Sequence, residues 1–155
     1  MPIPNAPYCQ PPDRNTLTPS FKLPINTCDT HVHVFDSNKY PYQENRSYTP
    51  HECNLDDLAK MHTRLGVERA VLIQASVHGI DNSAVLESCE NDLTKKRCVI
   101  AVDKSINESQ IENFHKKGAR GIRLNLVDKG GMPFESIDQV YKLSKILLNY
   151  DWHIE

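Results

Sequence analysis

The stretch Cys28-Asp29-Thr30-His31-Val32-His33-Val34-Phe35 restricts the fold more than any other part of the sequence. It is a short apolar run of the kind that forms a strand. Side chains alternate along a strand, so His31 and His33 point to one face, whereas Val32 and Val34 point to the other. The segment lacks the Gly-x-Gly-x-x-Gly pattern that follows the first strand of a dinucleotide-binding fold, and this excludes a Rossmann-type reading.

Outward from this segment, short apolar runs alternate with amphipathic stretches that carry helix start and stop signals. The predicted strands are Thr27–Val34, Arg69–Ala75, Arg97–Val102 and Gly121–Val127, with a fifth that starts at Trp152. The predicted helices are Leu55–Leu65, between Asn54 as cap and Gly66 as stop; a stretch from Asn82 or Ser83 to Leu93; a stretch from Asn107 or Ser109 to Lys117, with Gly118 at its C-cap; and a stretch from Ser136 or Asp138 to Tyr150. Strict alternation favours βαβ units, a parallel sheet and therefore an α/β fold.

The sequence supplies about four βα units and the beginning of a fifth strand. An open doubly wound sheet and part of a closed barrel both fit this alternation, and the missing dinucleotide motif favours the barrel. A complete (β/α)8 TIM barrel needs about 250 residues and eight strands. Residues 26–155 are therefore expected to be the N-terminal half of such a barrel, truncated at the C-terminus. An open half barrel exposes strand edges, which predicts self-association.

Residues 1–25 differ in composition from the rest of the chain. Seven of the ten prolines lie in the first 24 residues. Proline blocks helices and is excluded from central strands, so this segment is predicted to be an extended N-terminal arm.

Composition and charge exclude several classes of function. The chain has 155 residues, of which 39% are hydrophobic and 25% are charged, and its formal net charge is -2. These values are typical of a soluble protein and predict neither a nucleic-acid partner nor a membrane partner. The five cysteines include no Cys-x-x-Cys pair, which favours free thiols in a reducing cytoplasm over a zinc knuckle.

The histidine pair is the first candidate site. Active sites of βα barrels lie at the carboxyl ends of the strands, which is where His31 and His33 are predicted to be. Two imidazoles at that position can bind a divalent metal ion or polarise a carbonyl oxygen. The alternative is that the His-x-His spacing arises by chance.

The fourth predicted strand repeats this pattern with a charged residue. Arg123 shares one face with Gly121 and Asn125, so its guanidinium points into the barrel. A buried charge is costly without a partner, and the planar guanidinium suits a substrate carboxylate. The alternative is an internal ion pair with Asp29 or Asp103.

Three loop residues complete the candidate set. Ser76 falls just past the second strand, where its hydroxyl can bind substrate; no Gly-x-Ser-x-Gly elbow marks it as a nucleophile. Tyr48 lies in a long first βα loop of the length that usually carries function. Lys129 lies in the fourth βα loop and can add a second positive charge, although a solvated lysine fits there equally well.

The motifs together resemble a known family. Cys28–Phe35 resembles the opening motif of the amidohydrolase-related superfamily. With Gln74–Asn82 and Ala119–Asn125 it resembles, more narrowly, the 2-pyrone-4,6-dicarboxylate lactonase group, and the resemblance runs from about Ile25 to the end of the chain.

This resemblance implies a (β/α)8 barrel that hydrolyses a small lactone or ester bearing carboxylates. It implies that His31 and His33 hold and polarise the lactone carbonyl. It also implies that Tyr48, Ser76 and Arg123 bind the carboxylates or ring oxygens of the substrate. Lys129 stands where the lactonases tend to have a second arginine; lysine keeps the charge but loses the bidentate geometry.

The resemblance also bears on cofactors and completeness. Many amidohydrolases bind zinc through His-x-His, but the lactonase group generally works without a metal, and catalytic zinc normally has three protein ligands. We therefore expect no tightly bound metal, with zinc or manganese as the alternative. The group's further histidine and its aspartate base are expected beyond Glu155, so the 155-residue chain alone is expected to be inactive. A metal-dependent decarboxylase and a non-catalytic remnant remain as alternative functions.

Overall fold

Strands and helices alternate along the chain in a computed structural model that describes residues 6–127 and 133–155. Within these residues the strands are β1 (Cys28–Val32), β2 (Arg69–Ile73), β3 (Lys96–Ile100), β4 (Ala119–Ile122) and β5 (His153–Ile154). The helices are α1 (Leu55–Leu65), α2 (Ser83–Glu90), α3 (Glu108–Lys116) and α4 (Ile137–Leu147), with short 3-10 turns at Ser76–His78 and Leu148–Tyr150. The alternation confirms the predicted α/β fold.

The order of the strands separates the two architectures that the sequence left open. The five strands lie side by side in the order β1-β2-β3-β4-β5, and each pair of neighbours is parallel. A doubly wound sheet reverses its strand order at a switch point, whereas a barrel adds each new strand next to the previous one. The sequential order therefore confirms the half-barrel prediction.

Helix α1 was predicted to the residue, because its ends carry strong local signals. The side chain of Asn54 accepts hydrogen bonds from the amides of Asp56 and Asp57. Gly66 follows the helix with a φ of 79°, and its amide donates to the carbonyl of His62. A side-chain N-cap and a left-handed glycine are the common start and stop of a helix.

The other element ends differ from prediction by a few residues. The fourth strand was predicted as Gly121–Val127, but β4 is Ala119–Ile122. Leu126 and Val127 are apolar residues of the following loop, with exposed fractions of 78% and 93%. Apolar alternation that continues into a loop explains this error.

Helix α3 ends at Lys116 and Lys117 is its cap, so Gly118, the predicted C-cap, lies one residue beyond the observed one. Gly118 has a φ of 98°, and a Cβ there would lie 2.6 Å from Sγ of Cys89. Both the backbone conformation and the packing against α2 therefore require glycine at this position.

The core lies between the outer face of the sheet and the helices. Leu72, Ile100 and Ile122 contribute fully buried side chains from three strands, and Ile111 and Leu147 contribute from α3 and α4. The polar side chains at the carboxyl ends of the strands are thereby left for the opposite, inner side.

The N-terminal arm lies across α1. Arg14 forms an ion pair with Asp57, and the guanidinium of Arg64 donates to the carbonyl of Thr16 at 2.7 Å. In the described part of the chain, no helix combines the length and the apolar character that crossing a membrane requires.

Candidate functional site

Polar side chains meet at the carboxyl ends of β1, β4 and β5. The register pairs Ile122 with Ile154, and the ladder continues one residue further. The amide of Glu155 donates to the carbonyl of Ile122, and the amide of Leu124 donates to the carbonyl of Glu155, both at 2.9 Å. Arg123 and Glu155 are therefore neighbours across the two strands.

The two predicted histidines lie together at the end of β1. The ring centroids of His31 and His33 are 5.2 Å apart and the planes are nearly perpendicular, at 88°. The register between β1 and β2 shifts between Asp29 and Val32, so a bulge precedes Val32. Bulges of this kind redirect side chains next to functional sites.

His33 has a defined proton arrangement. Its Nδ1 lies 2.8 Å from the carbonyl oxygen of Ile73, and because a carbonyl can only accept, Nδ1 carries the hydrogen. Nε2 is then an acceptor and lies 3.4 Å from Nη1 of Arg123. Burial lowers the pKa of His33, and the positive charge of Arg123 lowers it further. We conclude that His33 is neutral near neutral pH.

The guanidinium of Arg123 donates to neutral acceptors at the ends of β1 and β2. Its Nη1 donates to the carbonyl of Gln74 at 3.1 Å, in addition to the contact with His33. The alternative partners suggested by the sequence are occupied by other groups. Asp29 accepts from Nε2 of His62 at 3.0 Å, and Asp103 accepts from the amide of Ser105 at 2.8 Å.

Glu155 is a member of the site that sequence reasoning missed. Its Oε1 lies 3.5 Å from Nδ1 of His31 and 3.9 Å from Nε of Arg123. The side chain is 31% exposed. The alternation of side chains along the last strand could have predicted it. Trp152 faces the core. Glu155 lies three residues later and therefore faces the opposite side of the sheet.

Ser76 and Arg123 line one small cavity, together with Gln74, Gly79 and Asn125. Gln74 is 2% exposed, and its amide donates to the carbonyls of Gly79 and Asp81, which fixes the loop that follows β2. The structure therefore brings the predicted serine and arginine to the same place.

The other two loop candidates, Tyr48 and Lys129, are not placed in this cavity by the described residues. Tyr48 is half-buried in the loop between β1 and α1. The next residue, Thr49, ties this loop to the arm through its amide, which donates to Pro7, and its hydroxyl, which donates to Ala6. Lys129 lies outside the residues that the structure describes. The roles of both stay predictions.

The larger cavities lie away from this cluster. One of about 490 Å³ lies between the arm and α1 and reaches the site only at His33. Another, of about 420 Å³, lies beside α1 and α2. A half barrel does not enclose its strand ends, so cavity size does not locate the site.

The fit of a divalent metal can be judged from the donor set. Residues 6–127 and 133–155 contain no group of three or more His, Cys, Asp or Glu side chains that could hold a metal ion. Two histidines are fewer than the three protein ligands of a catalytic zinc. The free lone pair of His33 also faces the guanidinium of Arg123, which disfavours a second cation there. The described residues alone therefore do not fit a metal centre.

Comparisons with known proteins agree with the half-barrel fold. The amidohydrolase family model matches residues 28–155. The chain is 34% identical to the 2-pyrone-4,6-dicarboxylate hydrolase of Comamonas testosteroni over 141 residues, which cover 90% of this chain and 46% of that protein. It is also 34% identical to the 4-sulfomuconolactone hydrolase of Hydrogenophaga intermedia over 119 residues, which cover 76% of this chain and 39% of that protein.

Solved structures have the same fold. A probable 2-pyrone-4,6-dicarboxylic acid hydrolase from Acinetobacter baumannii, with citric acid bound, matches with a TM-score of 0.75 at 22% identity, over 84% of this chain and 48% of that one. A protein from Agrobacterium tumefaciens matches with a TM-score of 0.71 at 19% identity, over 88% of this chain and 49% of that one. The chain thus spans less than half the length of each of these four proteins.

Proposed function

Since the chain belongs to the amidohydrolase family, we propose that it forms the first half of a barrel that hydrolyses a lactone or ester carrying carboxylate groups. The observation that carries this proposal is the cluster of His31, His33 and Arg123 at the strand ends. The names of the two curated relatives, a dicarboxylate hydrolase and a sulfomuconolactone hydrolase, favour a small anionic lactone as substrate.

In this proposal Arg123 binds a substrate carboxylate. Its guanidinium is oriented by the carbonyl of Gln74 and by Nε2 of His33. Both hydrogen-bond partners are uncharged, and the carboxylate of Glu155 lies 3.9 Å from Nε, beyond hydrogen-bond distance, so the guanidinium can still bind an anion. Ser76 lines the same cavity and donates its hydroxyl to the bound carboxylate or ring oxygen.

The two histidines have different roles in the proposed hydrolysis. Hydrolysis joins the oxygen of water to the carbonyl carbon and breaks the bond between that carbon and the ring oxygen. Negative charge develops on the carbonyl oxygen, and a positioned donor stabilises it. We assign this donor to His31, whose side chain is 48% exposed at the strand ends. His33 is an acceptor in its neutral form, so its role is to hold Arg123.

The base that takes the proton of the attacking water is not assigned to a described residue. We propose that it comes from the part of the barrel that this chain does not supply, because a closed barrel has eight strands. For the same reason, we propose that the 155-residue chain has no turnover on its own.

The test is hydrolysis of carboxylated lactones by the complete barrel protein and by its His31→Ala variant. Loss of the donor is expected to lower kcat by about 100-fold or more. The matched control is His115→Gln, in the outer helix layer, which retains an acceptor for the indole of Trp152. Undiminished hydrolysis by His31→Ala would remove His31 from the mechanism.

A metal-dependent decarboxylase is the second candidate, and one observation favours it. His33 donates from Nδ1 to a backbone carbonyl, as metal-binding histidines usually do, although a metal ion at Nε2 would have to displace the guanidinium of Arg123. This candidate requires stoichiometric zinc or manganese in the complete protein, measured by elemental analysis. Full activity of metal-free protein would contradict it.

A further inference from the structure

We propose that Glu155 restricts the substrate to a lactone with one carboxylate, bound at Arg123, and with an uncharged hydrogen-bond donor, such as a hydroxyl, beside Glu155. This inference rests on the proposed function and narrows its substrate class. It follows from the position of the Glu155 carboxylate within the cluster of histidines and arginine.

The inward direction of Glu155 follows from its strand. His153 lies two residues earlier on β5, and its ring packs over Gly121, where a Cβ would lie 2.8 Å from Cε1 of His153. Residues two apart on a strand share a face. Glu155 accordingly faces the same side as His153, and its Oε1 reaches His31 and Arg123 at 3.5 and 3.9 Å.

The charges of this cluster nearly cancel. Among the described residues in contact here, Arg123 is the one with a permanent positive charge, and the Glu155 carboxylate lies beside it. His33 is neutral, because burial lowers its pKa. One substrate carboxylate can replace part of the attraction between Arg123 and Glu155, whereas a second carboxylate would meet the negative charge of Glu155 with no further cation among the described residues of the cluster.

Partial burial makes this repulsion effective. The side chains of Arg123 and Glu155 are 20% and 31% exposed, so water screens their charges less than at the surface. A carboxylate oxygen is also an acceptor, and it suits a hydroxyl group of the ligand better than a second anion. Glu155 therefore favours a monoanionic hydroxylated lactone over a dianionic one.

The experiment compares matched ligands that differ by one carboxylate. Inhibition constants for benzoate and benzene-1,3-dicarboxylate report binding without hydrolysis, and 2-pyrone-6-carboxylate and 2-pyrone-4,6-dicarboxylate report turnover by the complete barrel protein. The native protein is expected to prefer the monocarboxylate of each pair. Glu155→Gln is expected to shift the ratio of the two inhibition constants towards the dicarboxylate by about tenfold.

Two controls make the result specific. Glu155→Asp keeps the charge and is expected to keep the native preference. Glu112→Gln removes one negative charge from the exposed face of α3 and is expected to leave the ratio unchanged. An unchanged ratio in Glu155→Gln, or equal binding of both inhibitors to the native protein, would overturn the inference. Absence of turnover on every lactone would contradict the proposed function, while the inhibitor ratio would still test Glu155.

Discussion

His33 and Arg123 hold one another at the level of single side chains. The carbonyl of Ile73 fixes the proton of His33 on Nδ1, and Nε2 then accepts from the guanidinium. This arrangement requires a neutral imidazole, and both burial and the charge of Arg123 lower the pKa of His33 accordingly. The position of the proton on His33 therefore depends on the carbonyl of Ile73, and the position of the Arg123 guanidinium depends on Nε2 of His33.

His78 makes stability depend on pH. It is 3% exposed, and its Nε2 has no hydrogen-bond partner among the residues described. Burial lowers its pKa, whereas the unfolded chain binds a proton near pH 6.5. Below about pH 6.5 the unfolded state therefore binds more protons, and the free energy of unfolding falls as the pH falls.

We expect the urea midpoint of the native protein to decrease between about pH 7 and about pH 5.5. His78→Gln is expected to flatten this dependence in part, because burial also lowers the pKa of His33 and His115. Thr63→Ser, on the exposed face of α1, changes no ionisable group, serves as the control and should keep the native slope. Equal slopes for His78→Gln and the native protein would contradict the prediction.

At this scale the sequence predicts some members of the cluster of histidines and arginine but not their partners. Alternation along one strand was enough to group His31 with His33, and the cost of a buried charge was enough to select Arg123. Glu155 was missed because its partners come from β1 and β4, which are distant in sequence. The same applies to the proton on His33, which depends on a carbonyl of β2.

At the scale of single elements, the residues at a helix end determine where that helix starts or stops. Asn54 caps α1 through its side chain, whereas Ser136 precedes α4 with no side-chain hydrogen bond to the helix. The two positions therefore differ in energy although both residues are common N-caps.

Asn54→Ala is expected to lower the free energy of unfolding by about 1 kcal/mol, because two amides of α1 lose their acceptor. Ser136→Ala, the matched control at the start of α4, is expected to change it by less than about 0.5 kcal/mol. Urea denaturation of both variants measures the difference. Similar losses of unfolding free energy at the two positions would mean that the side chain of Asn54 stabilises α1 no more than that of Ser136 stabilises α4.

Strand ends are less predictable than helix ends. A strand stops where its neighbour stops pairing, which is a property of the sheet rather than of the segment itself. Leu126 and Val127 continue the apolar pattern of β4 but lie exposed in the loop. The period of the pattern therefore predicted the existence and direction of β4 but overestimated its length.

At the scale of the molecule, the sheet has two outer edges. Within the described residues β1 pairs only with β2, and β5 pairs only with β4. Unpaired strand edges pair readily with other chains. The alternation of strands and helices could be predicted from the sequence because each βα unit is a local pattern. The order of the strands in the sheet then confirmed the barrel rather than the doubly wound sheet.

We expect the isolated 155-residue chain to self-associate through these edges. Ile154→Lys places a charge on β5 and is expected to reduce association in sedimentation velocity, because edge lysines prevent strand pairing. Ile137→Lys, at an exposed position of α4, adds the same charge elsewhere and is expected to leave association unchanged. A native chain that sediments as a monomer and unfolds cooperatively would contradict the expectation.

The sequential strand order also has a consequence for synthesis on the ribosome. Because β1 to β5 lie in the order in which they are translated, each strand meets a neighbour that has already emerged. Among the strands that the structure describes, none is inserted between two earlier ones. The sheet can therefore grow at the edge of its newest strand, at the pace of elongation, while the outer edge of β1 stays unpaired.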